Sequence, residues 1–280
     1  ESNFIIKDDS NLMNQLPIKK DNDFKNAKLY NNENGQYILS NRTLYIVNGY
    51  KNEIKTINLD LNNPQLQLTA DGFYAIQLKP YLKIKKFNLD LQVLDTIEDR
   101  PTAIDAFALN DHFIVVNSNE LKLMSKSNSI WSFEYQFNQI EMVANLEQLI
   151  IADKNKNKLL FFDLNKGELK AQVDINQISS NLEGRIIDVV LNQGKLLITM
   201  MNGNNIIKSV INTDTKQEED QLIIENVSEF KLIGVSNNLI IVQYRTRFGE
   251  GFLEALDFNT FASAWKRPFS NIEQSIVSKH

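Results

Sequence analysis

The feature that most constrains this chain is a short apolar run that recurs along its length. Six such runs begin at Leu44, Phe73, Phe113, Leu149, Leu196 and Leu239. Successive starts are 29, 40, 36, 47 and 43 residues apart, and a period of about 40 is typical of the blades of a propeller. The runs are rich in β-branched and aromatic residues, which indicates strands buried on both faces.

Turn-forming residues frame these runs. Asn, Asp or Gly precedes most of them, and an Asx-x-Asx triplet follows at residues 58–60, 88–90, 163–165, 212–214 and 257–259. An Asx side chain can accept a hydrogen bond from the backbone two residues ahead and so close a hairpin. A short outer strand follows each triplet. Each unit is therefore typical of a four-stranded blade, and the predicted fold is all-β, a single β-propeller domain over residues 1–280.

The number of blades depends on the two ends of the chain. Six units are visible, and a seventh can be assembled from residues 4–6 and 12–18 together with residues 275–277. Pairing the N-terminal and C-terminal strands closes the ring and hides both exposed sheet edges. The prediction is seven blades, with six as the alternative.

Composition excludes several classes of function. The 280 residues contain no cysteine, which removes disulfides, thiolate catalysis and cysteine-ligated zinc. The net charge of −5 disfavours a nucleic-acid-binding face. No apolar run approaches the roughly 18 residues of a membrane span. The absence of cysteine is compatible with bacterial export, and a cytosolic protein can also lack cysteine. The start Glu1-Ser2-Asn3 is typical of a mature or trimmed N-terminus.

Residues 253–266 resemble the quinoprotein-type (PQQ) repeat. In that repeat a strand ends in Ala-Leu-Asp, a Thr-Gly turn follows, and a Trp comes after the turn. Here Ala-Leu-Asp occupies residues 255–257, Phe261 stands at the glycine position, and Trp265 follows. Residues 160–169 keep the Asp and the Gly of the repeat, and Trp131 occupies the outer-strand position of another unit.

The chain is thus similar to the superfamily of degenerate PQQ-repeat propellers. Two kinds of member are non-enzymatic: the lipoproteins of the bacterial outer-membrane β-barrel assembly machinery, and the lumenal propeller of the ER membrane protein complex. Resemblance to the lipoproteins implies an exported scaffold, periplasmic or associated with the outer membrane. It also implies a protein partner, no cofactor, and peripheral membrane association through an N-terminal lipid anchor outside this chain.

The candidates for catalytic chemistry are few. His112 is the only internal histidine and follows a predicted turn. Residues 153–158 begin like a calcium loop, but Lys158 and Leu164 stand where that loop needs a glycine and an acid. Residues 218–220 form an acidic cluster in a predicted loop. We therefore predict no catalytic and no metal-binding residues. The alternatives are a propeller enzyme, such as a metal-dependent lactonase or a glycan-processing type, and a carbohydrate-binding propeller.

Two loops are predicted to contact a protein partner. The first is a hairpin with Tyr244, Arg245, Arg247 and Phe248, and the second carries Tyr81. Aromatic and arginine side chains are enriched at binding hot spots. Loops held on a rigid scaffold are where binding residues concentrate. The function predicted from the sequence is a non-enzymatic scaffold for protein–protein interaction.

Overall fold

Short β-strands make up nearly all of the regular structure. The computed structural model describes residues 27–269, except 33, 49–52, 100–101, 110–111, 126–127, 146, 179–183 and 237. Those residues contain one short helix, α1 (Ile175–Ile178), and 24 strands in six four-stranded antiparallel sheets. The predicted fold class, an all-β propeller of four-stranded blades, is confirmed.

Each blade consists of four consecutive strands that are hydrogen-bonded in chain order. The first two blades contain β1 (Lys28–Asn32), β2 (Gly35–Ser40), β3 (Thr43–Asn48) and β4 (Glu53–Asn58), then β5 (Gln65–Thr69), β6 (Gly72–Gln77), β7 (Leu82–Asn88) and β8 (Val93–Asp99). The third and fourth contain β9 (Asp105–Leu109), β10 (His112–Val116), β11 (Glu120–Ser125) and β12 (Asn128–Glu134), then β13 (Ile140–Ala144), β14 (Gln148–Asp153), β15 (Lys158–Asp163) and β16 (Glu168–Asp174). The fifth and sixth contain β17 (Arg185–Asn192), β18 (Lys195–Asn202), β19 (Asn205–Asn212) and β20 (Glu218–Ile224), then β21 (Val227–Ser236), β22 (Leu239–Thr246), β23 (Gly251–Asp257) and β24 (Ser263–Phe269).

The middle strands of a blade are apolar on both faces. They are buried because neighbouring blades pack against these faces. In β14, Leu149 and Ile151 belong to a cluster shared with the third blade, whereas Ile150 and Ala152 belong to one shared with the fifth. Successive side chains of a strand point to opposite faces. An unbroken apolar run therefore needs a neighbouring sheet on each side, and its burial stabilises the stack.

The described residues group into two compact units that divide between residues 100 and 101. The first unit holds blades one and two, whose shared core includes Tyr37, Phe73 and Phe87. The rings of Phe73 and Phe87 stack with centroids 4.8 Å apart. The second unit holds blades three to six, with buried clusters shared between consecutive blades. A single domain over residues 1–280 stays a prediction.

The described residues form six blades, the alternative count, and not the seven that were favoured. The error begins with the first apolar run: residues 44–47 lie in β3, a third strand, whereas the other five runs lie in second strands. Measured between second strands, the blades begin 37, 40, 36, 47 and 44 residues apart, which removes the short first interval. The strands predicted at residues 4–6, 12–18 and 275–277, with their ring-closing pairing, lie outside the described residues.

The phase error has a physical cause in the turns. Asn88, Asp163, Asn212 and Asp257 open the turn between the third and fourth strands of their blades, as predicted. Asn58 Oδ1 accepts the N–H of Asp60 at 3.0 Å in the same way, but this turn follows a fourth strand. The same local turn thus occurs after a third strand in four blades and after a fourth strand in the first blade. The triplet alone therefore does not show which strand of a blade precedes it.

The turn at Asp257 shows how the quinoprotein-type motif works in this chain. Asp257 Oδ1 accepts the backbone N–H of Thr260 and of Asn259, each at 2.9 Å. The bonds from Thr260, the largest effect, hold the pKa of Asp257 below its usual value. Phe261, at the glycine position, has φ +53° and is buried in the cluster between the fifth and sixth blades. Burial of its ring offsets the strain of the left-handed backbone.

Trp131 joins the third blade to the fourth. Its indole Nε1 donates to the Leu164 carbonyl at 3.0 Å, across the turn that follows β15. A Cβ placed on Gly167 would lie 2.5 Å from Cγ of Trp131, and Gly167 has φ +68°. The position therefore needs glycine for two reasons, the backbone angle and the closeness of the indole ring.

Replacing Gly167 by Ala should destabilise the fold more than the same change at Gly203. Gly203 has φ +57° but no atom within 4 Å of the position of a Cβ, so Gly203→Ala adds only backbone strain, about 1 kcal/mol. Gly167→Ala adds overpacking against Trp131, for a total of about 2–4 kcal/mol. Urea unfolding of both variants measures the difference. Equal losses would show that the indole contact contributes nothing.

Candidate partner-binding hairpin

The hairpin between β22 and β23 ends in a four-residue tip, residues 247–250. Two backbone bonds close it: Thr246 N–H donates to the Glu250 carbonyl at 2.8 Å, and Gly249 N–H donates to the Thr246 carbonyl at 3.0 Å. Gly249 has φ +87°, a left-handed conformation that glycine adopts without a Cβ penalty. The sequence prediction of a hairpin at this place is confirmed.

Phe248 is the most exposed of the large apolar side chains that the structure describes. Its side chain is 83% exposed, and Arg247 beside it is also exposed. Burying a phenylalanine side chain is worth about 1.5–3 kcal/mol. Nothing in the described part of the chain covers Phe248. Its burial free energy is therefore still available for binding another molecule. The tip therefore presents one apolar knob next to one guanidinium group.

Arg245 and the neighbouring backbone hold the tip in place. The Arg245 guanidinium donates to the Gly249 carbonyl at 3.0 Å and lies 3.5 Å from the Glu229 carboxylate. The Ser228 hydroxyl lies 3.1 Å from the carbonyl oxygens of both Arg245 and Thr246, which share its single donated hydrogen. These contacts tie the tip to β21, so the direction of Phe248 is set by the blade.

The backbone of the tip is also bonded to the connection between the fifth and sixth blades. Arg247 N–H donates to the Asn226 carbonyl at 2.8 Å, and Val227 N–H donates to the Asn204 carbonyl at 2.7 Å. Asn204 lies in the hairpin between β18 and β19. Two neighbouring hairpins are thus joined along one edge of the second unit.

Tyr244 was predicted among the partner-contacting residues, and the structure places it in the core. Its ring is buried and packs against Phe252 with centroids 5.5 Å apart. Its hydroxyl donates to Glu254 Oε2 at 2.8 Å. Burial, and then the bond to Glu254, raise the pKa of Tyr244 well above its usual value. Tyr244 supports the base of the hairpin from beneath and does not form part of its exposed surface.

A shallow groove runs beside the base of the hairpin. It has a volume of about 240 Å³ and lies between β21 and β22. Its lining residues are Glu229, Phe230, Lys231, Gln243, Tyr244 and Arg245. The hairpin therefore has a groove of mixed polar and apolar side chains at its base, beside the apolar tip.

Tyr81 lies in the first unit, in the loop between β6 and β7. Its side chain is 37% exposed. Its carbonyl accepts a hydrogen bond from Gln77 Nε2 at 3.1 Å, which fixes the loop from within the blade. The loop is as exposed as predicted, but Tyr81 is much less exposed than Phe248.

Lys208 is not among the functional residues predicted from the sequence. This lysine lies in the apolar run of β19, its side chain is completely buried, and Nζ has no hydrogen-bond partner among the described residues. Nζ lies 5.2 Å from the centroid of the Phe230 ring. Burial lowers the pKa of Lys208 to about 7, and the nearby Asp188 carboxylate opposes this effect. The sequence feature that could have indicated this site is a single lysine inside an apolar run rich in isoleucine and valine.

The other motifs have structural roles in the described residues. Asp153 is buried, opens the turn between β14 and β15, and accepts a bond from the Tyr135 hydroxyl at 3.1 Å. The acidic cluster begins β20 and does not form a loop; Glu218 accepts a bond from Ser209 Oγ at 2.6 Å. His112 is the first residue of β10.

The described part of the chain contains no group of three or more His, Asp or Glu side chains placed to hold a metal ion. It also contains no helix with the length and apolarity needed to cross a membrane.

Comparison with known proteins identifies the fold. Residues 85–222 match a family of unknown function (DUF5711). No curated protein matches the sequence.

Similar solved structures include BamB from Moraxella catarrhalis, with 12% identity, a TM-score of 0.56, and coverage of 89% of this chain and 77% of that one. A chain of the mitotic checkpoint complex has 9% identity, a TM-score of 0.62, and coverage of 87% and 77%. The computationally designed protein Ika8 has 10% identity, a TM-score of 0.58, and coverage of 90% and 88%. The likeness to BamB, a PQQ-like propeller, agrees with the resemblance found in the sequence at the level of the fold.

Removing the Tyr244 hydroxyl should weaken the base of the hairpin. Tyr244→Phe leaves the buried Glu254 carboxylate without its 2.8 Å donor, which should lower the free energy of unfolding by about 1–2 kcal/mol. Tyr45→Phe is the matched control, because it removes the same hydroxyl from a tyrosine of β3 that is only partly buried. Chemical denaturation compares the two variants. A loss at Tyr244 no larger than the loss at Tyr45 would contradict the role of the bond to Glu254.

Proposed function

We propose that this chain is a non-enzymatic propeller scaffold that binds a protein partner through the β22–β23 hairpin. The observation that carries the proposal is Phe248, 83% exposed at the tip of a hairpin whose backbone is tied down on both sides. A rigid exposed aromatic side chain loses little conformational entropy on binding. It can therefore contribute most of its burial free energy to affinity.

The chemistry of the tip specifies the kind of partner. Phe248 fits an apolar cleft, and the adjacent Arg247 guanidinium fits a carboxylate at the rim of that cleft. Arg245 is engaged with Glu229 and Gly249, and Tyr244 is buried, so both act by holding the tip. We include Tyr81 as a separate contact in the first unit.

The comparisons support this proposal at a coarse level. One chain of similar fold belongs to a multiprotein assembly, the mitotic checkpoint complex, and another is BamB. At 9–12% identity these likenesses concern the fold. The binding role assigned to this chain is our proposal, and it depends on the hairpin.

We extend the proposal to location: the chain works in an exported, envelope-associated setting. The support is the PQQ-repeat resemblance of residues 253–266 together with the likeness of fold to BamB. Fractionation of cells that produce the full-length protein tests it. Recovery with the envelope fraction is expected, and recovery only with the cytosol would contradict it.

Site-specific photo-crosslinking can identify the partner. A photoreactive phenylalanine at position 248 should give a discrete crosslinked protein in the native cell. The same group at position 223 is the matched control, because Ile223 is also exposed, at 47%, but lies on the outer strand β20. The same products from both positions would indicate contact by collision and would contradict the proposal.

Phe248→Ser should abolish most of the affinity for the crosslinked partner without loss of stability. Losing the burial of one phenylalanine side chain corresponds to about a 10–100-fold increase in Kd. Ile223→Ser should leave Kd within about twofold, because that residue lies outside the hairpin. Calorimetric titration measures Kd, and thermal denaturation checks that both variants are folded. An unchanged Kd for Phe248→Ser would refute the role of the tip.

A further inference from the structure

Lys208 is the most unusual buried group among the described residues. Its side chain is 0% exposed, and its Nζ has no hydrogen-bond partner there. A buried ammonium group without a partner costs several kcal/mol. A position in β19 that costs so much stability, between Ile206 and Val210 on the same face, calls for an explanation.

The neighbours of Lys208 in the sheet are also polar. In the register of the fifth blade, Asp188 pairs with Thr199, and Thr199 pairs with Lys208. Cross-strand partners lie on the same face of a sheet about 5 Å apart. The Thr199 hydroxyl is buried and, like Nζ, has no hydrogen-bond partner among the described residues. The three side chains form a polar row across this face of the sheet.

This row faces the seam between the fifth and sixth blades. The same face contributes Ile206 and Val210 to a cluster with Val242 and Tyr244 of the sixth blade. Directly opposite Lys208 is the ring of Phe230. Around the row that contains Lys208, this part of the seam is mainly apolar.

The seam leads to the base of the hairpin. Phe230 pairs with Tyr244, and Tyr244 pairs with Phe252. Tyr244 is two residues from the end of β22, and the tip begins at Arg247. The buried amine thus lies beneath the strands that carry Phe248.

Among the titratable groups around the seam, Asp188 is the counter-charge of Lys208, and the others are engaged elsewhere. Tyr244 donates to Glu254, and Lys266 of β24 lies 3.8 Å from the same carboxylate. On β20, Asp220 Oδ1 accepts the N–H of Gln221 at 2.8 Å. Asp188 on β17 is the group whose charge favours the ammonium form of Lys208.

We propose that Lys208 is a protonation-controlled latch for the hairpin. The neutral amine keeps the seam between the fifth and sixth blades closed. The ammonium form favours a locally opened state in which Lys208 reaches water and β22 and β23 loosen. The latch regulates the site described under the proposed function, and only its biological role rests on that function.

The direction of the pH effect follows from linkage. In the closed seam the pKa of Lys208 is about 7, because burial outweighs the charge of Asp188; in water a lysine has its ordinary value of 10.5. Between these values the opened state binds more protons, so opening becomes about tenfold rarer for each unit of increasing pH. Below pH 7 both states carry the proton, and no further change follows. The latch is loosest at and below neutral pH.

Hydrogen exchange of the full chain tests the latch without any partner. Amides of β22 and β23 are followed at pH 7 and pH 9, with rates corrected for intrinsic exchange. We expect at least tenfold greater protection at pH 9 in the natural chain. In Lys208→Met the protection should change by less than twofold. Lys166→Met, at an exposed turn position, should behave like the natural chain.

Two results would overturn the proposal. One is hairpin protection that is equal at pH 7 and pH 9 in the natural chain, and the other is a pH dependence that survives in Lys208→Met. If Lys208→Met does not fold, an NMR titration of the Lys208 side chain in the natural protein replaces it. A midpoint near 7 supports the latch, and a midpoint near 10.5 excludes it. An unchanged Kd for Phe248→Ser, which would refute the proposed function, affects none of these readouts, so the two proposals fail separately.

Discussion

The structure depends on the burial of each blade's middle strands on both faces. A four-stranded sheet whose second and third strands are apolar on both sides cannot be stable alone in water. In β14 and β15, alternate residues pack against opposite neighbours: Leu160 and Phe162 face the third blade, and Leu159 and Phe161 face the fifth. Within each unit, a blade is thus completed by its neighbour. Polar turns and the Trp131 to Leu164 bond then fix where one blade meets another.

The candidate binding site follows from this arrangement because the hairpins extend beyond the stacked core. The β22–β23 tip is bonded to β21 by Ser228 and to the inter-blade connection by Asn226. It is therefore a loop with the rigidity of the blade. A side chain on such a tip can be apolar and exposed without being mobile. This combination makes Phe248 a better candidate for contact than the more buried Tyr81.

Lys208 is the point where the stacking principle is violated. Apolar residues at all three positions of the Asp188, Thr199 and Lys208 row would remove the desolvation cost from the seam between the fifth and sixth blades. The chain instead places an amine there, balanced by one carboxylate and covered by Phe230. Departures from packing rules are expected where a protein needs a change of state. The position under the hairpin connects this departure to the proposed binding site.

The sequence by itself determined the blade, because its signals are local. Apolar runs of four residues give buried strands, and the Asx triplets at Asn88, Asp163, Asn212 and Asp257 give hairpin turns through bonds that span two residues. The hairpin that carries Arg247 and Phe248 was predicted for the same reason. The place of the first apolar run within its blade was not predicted correctly. The turn at Asn58 is locally identical to a hairpin turn but follows a fourth strand. Only tertiary structure decided that Tyr244 faces inward, that Gly167 touches Trp131, and that Lys208 is sealed in a seam. Each of these depends on which face of one sheet meets the next. Such contacts join residues far apart in the chain, 36 positions for Gly167 and Trp131 and 22 for Lys208 and Phe230, and no local pattern encodes them.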